Sequence, residues 1–182
     1  MARLPYVAPP GAVTDRIKER RGGRLIAVDG MLLHSPEFAD GWNSMLGAVR
    51  GKSTLPDDIR ELVILRVVAR LGAEFEVVAH QSLARQAGFS DEQVAAIGVG
   101  PGDSGTSAGA VTFSPAQVAA LAYADAVTMH VTVPQEIFDA VRAHFDDRQV
   151  LELTVTVAAY NMVSRVLVPL EVRAGDNPFA AG

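Results

Sequence analysis

The stretch that decides the fold is Leu55 to Phe89, LPDDIRELVILRVVARLGAEFEVVAHQSLARQAGF. It opens with a proline and two aspartates, which is typical of a helix start, because proline fits the first turn and negative charge stabilises the helix dipole there. Apolar residues then recur at helical spacing until Gly72, a residue that commonly ends helices. A second helix is predicted from about Ala73 to Ala87, followed by Gly88.

These two helices can bring ionisable side chains together in an apolar neighbourhood. Glu76 and His80 lie four residues apart, and therefore on one face of the second helix. Glu61 and Arg66 belong to the first helix. A histidine with an ordinary pKa of about 6.5 gives or takes a proton near neutral pH. The stretch therefore predicts an acid–base site between the helices.

The residue pattern of this stretch resembles the carboxymuconolactone decarboxylase family, which shares its all-helical fold with alkylhydroperoxidase D. The resemblance is carried by Arg60-Glu61-Leu62, Ile64-Leu65-Arg66, Ala73-Glu74-Phe75-Glu76, His80, Ala84 and Gly88-Phe89-Ser90. It implies an all-α fold, an alkylhydroperoxidase D-like helical bundle. The apolar patterns along the whole chain predict seven or eight helices and no clear strand.

The same resemblance suggests which residues are catalytic. His80 matches the family's active-site histidine, and Glu61, nineteen residues before it, stands where the family's peroxidases carry a proton-relay glutamate. Those peroxidases use a Cys-x-x-Cys pair, whose positions are occupied here by Ala73 and Glu76. The chain contains no cysteine, so thiol peroxidase activity is not expected. The candidate catalytic residues are His80, Glu61 and Glu76.

Four further residues are candidates for substrate binding. Arg66 interrupts an apolar stripe, and would form either a structural ion pair with Glu61 or Glu74 or a clamp for a substrate carboxylate. His34 would line the mouth of the pocket or cap a helix, and Trp42 would line the pocket or pack in the core. Tyr160 interrupts the apolar last helix and could donate a hydrogen bond to a ligand or to a neighbouring helix.

Two segments rich in glycine are predicted to be loops. Gly22-Gly23 lies among Arg20, Arg21 and Arg24, which indicates a solvated basic turn or, alternatively, an anion-attracting patch near a pocket mouth. Residues 98–109 contain no Gly-x-x-x-x-Gly-Lys-Ser/Thr motif of a phosphate-binding loop. They are therefore predicted to be a linker within the domain, or a lid.

Composition indicates one globular domain. The 182 residues are 49% hydrophobic and 20% charged, and the net charge of −5 argues against nucleic acid as a partner. No apolar run approaches the roughly 20 residues of a membrane-spanning helix, so no membrane partner and a cytoplasmic location are expected. The domain is expected to span residues 14–170, with an extended arm at 1–13 and a tail at 171–182.

The resemblance implies a cofactor-independent decarboxylase-type lyase that acts on a small carboxylated lactone or a related carboxylic acid. No metal site is expected, because the histidines and carboxylates lack the close spacing of metal ligands. A proton-transfer isomerase or cyclase and a non-catalytic ligand-binding oligomer remain as alternatives. Wide apolar stripes on several helices predict a homo-oligomer, which in the resembled family is a trimer or hexamer.

Overall fold

The computed structural model describes residues 2–99 and 111–180. In these two ranges the chain forms nine helices and no strand. In chain order they are α1 (Ala12–Arg20), α2 (Ala27–Leu32), α3 (Pro36–Gly51), α4 (Asp57–Arg70), α5 (Glu74–Gln86), α6 (Asp91–Gly98), α7 (Pro115–His130), α8 (Gln135–Arg142) and α9 (Asp147–Leu167). The all-α prediction is confirmed, although the predicted count was too low. Of the predicted loop at 98–109, residues 100–109 lie outside the described residues.

Helix α4 is the centre of the domain. Every side chain from Glu61 to Val68 is buried, and the helix packs against α5, α6, α7 and α9. A helix with apolar residues all round is stable only when other elements cover every side. Full burial of each large aliphatic side chain contributes about 1.5–3 kcal/mol. The two charged residues inside this segment, Glu61 and Arg66, must therefore find partners within the protein.

Glycine ends both helices of the central pair, as predicted. Gly72 follows α4 with φ 67°, and Gly88 follows α5 with φ 102°. Residues other than glycine rarely adopt these left-handed backbone angles, because their Cβ atom clashes with the backbone. The sharp turn at Gly72 lets the backbone N–H of Ala73 donate to the carbonyl of Val68 at 2.9 Å. Helix α5 therefore starts close beside α4.

Helix α9 forms the other long wall of the core. Its β-branched run Val155-Thr156-Val157 is helical, as predicted. In the part of the chain that the structure describes, α9 is the one helix long and apolar enough to cross a membrane by length and composition alone. Half of the apolar stretch of α9 is buried inside the domain, however, as in the core helix of a globular protein.

The first residues of the chain pack against the C-terminal segment. The backbone N–H of Arg3 donates to the carbonyl of Leu170 at 2.9 Å, and the Tyr6 hydroxyl donates to Asp176 Oδ2 at 2.5 Å. Phe179 lies against Gly30 of α2 so closely that a Cβ atom at position 30 would be 2.5 Å from Phe179 Cζ. Both terminal segments are thus held on the body of their own chain.

Glu152 of α9 anchors the loop before α4. Its Oε2 atom accepts hydrogen bonds from the backbone N–H of Thr54 at 2.6 Å, the Thr54 hydroxyl at 2.8 Å and the Ser53 hydroxyl at 3.0 Å. Burial alone would raise the pKa of Glu152, but these bonds and one from Arg148 lower it to about 2. The ionised carboxylate therefore helps to set the start of α4 relative to α9.

Replacing Glu152 with Gln should lower the free energy of unfolding by about 1–3 kcal/mol at neutral pH, because charge-assisted hydrogen bonds become neutral ones. The lowered pKa means that the stabilisation is present above the ordinary carboxyl pKa and is lost as pH falls towards 2. Urea unfolding at several pH values measures this, with Glu136→Gln as the exposed control. An unchanged stability at neutral pH would contradict the anchoring role.

Candidate active site

Glu61 of α4 and His80 of α5 form a hydrogen bond inside the protein. Glu61 Oε2 lies 2.7 Å from His80 Nδ1, and the two residues are only 5% and 2% exposed. The short turn at Gly72 places α5 beside α4, so that residues nineteen positions apart face each other. The carboxylate accepts the Nδ1 proton, which fixes the orientation of the imidazole ring.

Glu76 lies on the other side of the ring. Its Oε2 atom is 3.4 Å from His80 Nε2, one helical turn along α5. The imidazole therefore lies between two carboxylates, with one at each ring nitrogen. This confirms the spacing argument for Glu76 and His80, and it unites all three predicted catalytic residues in one cluster, which we call the Glu–His–Glu cluster (Glu61, His80 and Glu76).

Two neighbours complete the surroundings of the cluster. Arg60 Nε lies 3.5 Å from Glu61 Oε1. Tyr160 of α9 meets the His80 ring edge-on, with the ring centroids 5.0 Å apart and an angle of 89° between the planes. An edge-to-face contact of this kind is favourable and further restrains the imidazole. The His80 ring is thus held by two carboxylates and one aromatic ring.

The pKa of His80 is raised above its ordinary value. Burial of the ring alone would lower this pKa, but the hydrogen bonds and the charges of Glu61 and Glu76 together outweigh that effect. The two carboxylates therefore favour the protonated form of the ring. The proton on His80 Nε2 faces Glu76, whose Oε2 atom lies 3.4 Å away.

A small cavity opens on the Glu76 side of the cluster. Its volume is about 50 Å³, and its wall includes Glu76, Tyr160, Trp42, Arg21 and Arg50. Among the described residues, Glu61 and His80 are not part of that wall. The sequence names His80 as a candidate catalytic residue, together with Glu61 and Glu76. In the structure Glu76 is the member of the cluster that faces the cavity, and His80 lies behind it.

Arg66 does not reach the Glu–His–Glu cluster. Its guanidinium forms two parallel bonds with Asp125 of α7, Nε to Oδ1 at 2.8 Å and Nη2 to Oδ2 at 2.7 Å. Nη1 donates to the carbonyls of Ile97 and Val99. Burial would raise the pKa of Asp125, but the bonds from Arg66 and Arg70 lower it. Arg66 therefore forms a structural ion pair and is not a clamp for substrate in this cluster. Its partner is Asp125 instead of the predicted Glu61 or Glu74.

His34 and Trp42 lie around a second, larger depression. The exposed His34 ring donates from Nε2 to the carbonyl of Pro5 at 2.7 Å. His34 and Trp42 both line an apolar groove of about 540 Å³ on the surface of α3, together with Phe38 and Met45. Trp42 also lines the small cavity, whereas His34 does not. Of the four predicted binding residues, Trp42 and Tyr160 thus reach the cavity wall.

Two arginines of the cavity wall were absent from the predicted site. Arg21 follows α1, and Arg50 lies near the end of α3. The sequence indicates a solvated basic turn at Arg20 to Arg24, yet Arg21 Nε lies 2.7 Å from the buried Asp29 Oδ2. The only signal in the sequence was the alternative of an anion-attracting patch near a pocket mouth. Nothing in the local pattern distinguished Arg50 from an ordinary surface residue.

No group of three or more histidine or acidic side chains in the described ranges is arranged to hold a metal ion. The cluster itself offers one imidazole, and both of its ring nitrogens face carboxylates. What this arrangement can do chemically is hold a proton on His80 and exchange it with Glu76, at the wall of the cavity.

The fold is that of an alkylhydroperoxidase D-like helical protein. An uncharacterized peroxidase-related protein from Ralstonia eutropha JMP134, described as an alkylhydroperoxidase AhpD core, matches with a TM-score of 0.80 and 22% identity, over 96% of this chain and 93% of that one. The debrominase Bmp8 in complex with 2,3,4-tribromopyrrole matches with a TM-score of 0.75 and 16% identity, over 98% of this chain and 96% of that one. Identities this low show the fold alone.

The sequence match identifies the family. The model of the carboxymuconolactone decarboxylase family matches residues 36–126, which is half of the chain, and the chain belongs to this family. The uncharacterized protein YdfG of Bacillus subtilis (strain 168) is 26% identical over 127 residues, which are 69% of this chain and 82% of YdfG. The matched region contains the whole Glu–His–Glu cluster.

The protonation of His80 can be tested through stability. Because the pKa of His80 is raised in the folded protein, the protonated ring stabilises the fold. This contribution is fully present below the ordinary pKa of about 6.5, and it is lost as pH rises through the pKa of His80 in the folded protein. The stability difference between the native protein and His80→Gln should therefore shrink by about 1 kcal/mol or more between about pH 6 and about pH 9. Urea unfolding at both pH values measures it; a difference that grows with pH would contradict the raised pKa.

Proposed function

We propose that the protein is a cofactor-independent decarboxylase-type lyase, which acts on a small carboxylated lactone or a related carboxylic acid. The observation that carries this proposal is the position of Glu76 at the cavity wall, with His80 Nε2 3.4 Å behind it. A carboxyl group in contact with a substrate, and supplied with protons from within the protein, is the arrangement that general acid catalysis requires.

The proposed reaction replaces a carboxylate with a proton. The bond between carbon and CO2 breaks, CO2 leaves, and the electron pair passes into a conjugated carbonyl group to form a dienolate. Glu76, protonated by His80, then gives its proton to carbon. Solvent returns a proton to His80, and Glu61 holds the ring in place throughout. Membership of the carboxymuconolactone decarboxylase family supports this reaction class, although a fold alone does not determine the reaction.

The wall of the cavity supports a reaction that removes charge from a carboxylate. Beside its polar members it contains the apolar side chains of Val28, Leu46 and Phe75. Such a wall replaces water around the reacting carboxylate with less polar contacts, and it strengthens the electrostatic interactions inside the site. Thiol chemistry is not part of the proposal, because the chain has no cysteine and Glu76 occupies the position of a family cysteine.

A proton-transfer isomerase or cyclase is the alternative that the same geometry favours. Glu76 and His80 could remove a proton from one carbon and return it to another without breaking a carbon–carbon bond. The two reactions differ in one product, because only the decarboxylase releases CO2. Screening small carboxylated lactones and β-keto acids for CO2 release, and for solvent deuterium incorporation without it, separates the two functions.

Replacing Glu76 with Gln should lower the rate of CO2 release by about 10²–10⁴-fold, because the amide cannot act as the general acid. His80→Gln should have a similar effect, since Glu76 then loses its source of protons. The measurement is initial-rate kinetics on a substrate found in the screen. Glu74→Gln, an exposed carboxylate at the start of the same helix, is the matched control and should be unaffected. Equal rates in native protein and Glu76→Gln would refute the proposed role.

We propose in addition a homo-oligomer, a trimer or hexamer, in the cytoplasm. The apolar groove on α3 supports it, because Phe38 is 77% exposed there and lies beside Met45 and Met162. Phe38→Asp should reduce the molar mass measured by light scattering, since a charge would then have to be buried in the interface. Val131→Asp, at an equally exposed residue after α7, serves as control. A native protein that is already monomeric would contradict the proposal.

A further inference from the structure

Two side chains of the cavity wall carry polar groups that the described residues leave available: the Tyr160 hydroxyl has no hydrogen-bond partner, and the Arg50 guanidinium forms no ion pair. The Tyr160 hydroxyl is fully buried and makes no hydrogen bond with any described residue. Burial raises the pKa of Tyr160 above its usual range, so the group remains a hydroxyl and a potential donor. An unsatisfied buried hydroxyl destabilises the protein, and a hydrogen bond to a ligand oxygen would remove that cost.

Arg50 is the second such group. Its Nε donates to the carbonyl of Leu46 at 3.3 Å, and in the described part of the chain it forms no ion pair. The other charged side chains of the wall are paired, because Arg21 contacts Asp29 and Glu76 contacts His80. The half-buried guanidinium of Arg50 is therefore the cation of this cavity that is available to an incoming anion.

We propose that Arg50 and Tyr160 form an oxyanion site, which binds the oxygen that becomes negatively charged when CO2 leaves the substrate. The proposal rests on the proposed function and assigns the binding of the dienolate oxygen, a role distinct from holding the departing carboxylate. Fixed donors aimed at a developing charge stabilise the transition state more than the ground state. A guanidinium on the departing carboxylate would do the opposite, because it would stabilise the ground state.

The size of the cavity restricts what this site can hold. A water molecule needs about 10–15 Å³ of such space, so a cavity of about 50 Å³ accepts a group of a few heavy atoms. Only the reacting end of a substrate fits beside Arg50, Tyr160 and Glu76. Arg21 and Ile26 line both this cavity and a neighbouring depression of about 400 Å³ that contains Arg20 and Arg24. The remainder of the substrate extends in that direction.

Binding of acetate tests the site without any catalytic step. Acetate is a planar oxyanion of suitable size, and acetamide is its uncharged isostere. Trp42 is the only tryptophan of the chain and lines the cavity, so its fluorescence reports occupancy directly. At constant ionic strength, native protein should bind acetate saturably in the millimolar range and should not respond to acetamide.

Variants assign this binding to the two residues. Arg50→Gln should weaken acetate binding about tenfold or more, because a charge-assisted interaction is lost, and Tyr160→Phe should weaken it about fivefold. Arg85→Gln, an exposed arginine paired with Asp91, is the matched control and should bind as the native protein does. Tyr160→Phe should also be at least as stable as native protein in urea unfolding, because it removes an unsatisfied hydroxyl. An unchanged or higher stability would exclude misfolding as the cause of its weaker acetate binding.

Two results would overturn the oxyanion site: equal acetate affinity in native protein and Arg50→Gln, or no saturable binding by native protein. Kinetics separate this proposal from the proposed function. Tyr160→Phe should lower kcat about 10²-fold with little change in KM. CO2 release that is insensitive to both variants would overturn the oxyanion site alone. Acetate binding through Arg50 without CO2 release from any substrate would overturn the proposed function alone.

Discussion

The hydrogen bond between Glu61 and His80 joins the two innermost helices at a point that water does not reach. A buried carboxylate and a buried imidazole are each costly alone, and at 2.7 Å each satisfies the other. The bond fixes the imidazole ring next to Glu76. Glu76 is the member of the cluster that lines the cavity. The orientation of the ring, and its place between Glu61 and Glu76, therefore depend on this contact.

Local sequence rules were sufficient for the central pair of helices. The proline–aspartate start, the apolar spacing and the two glycine ends predicted α4 and α5, and the four-residue spacing predicted the contact between Glu76 and His80. Helix α9 was likewise identified by the length of its apolar pattern. These features depend on residues close together in the chain, for which helical periodicity is a direct guide.

Contacts between segments that lie far apart in the chain could not be predicted from local spacing. Arg66 is paired with Asp125, fifty-nine residues further along, whereas the partners considered from the sequence were nearby glutamates. Arg50 reaches the same cavity as Tyr160 only because α3 and α9 pack together. Whether His80 or Glu76 faces the cavity depends on the rotation of α5 within the bundle. Tertiary packing decides such questions, and no spacing rule encodes them.

The central position of α4 has a consequence for the motions of the protein. The amide protons of a helix that is surrounded by four others exchange with solvent only through the rarest, most global openings. Glu61 therefore cannot be uncovered by fraying of a terminus or by displacement of a surface loop. A ligand in the cavity therefore meets Glu76, while Glu61 stays covered beneath it.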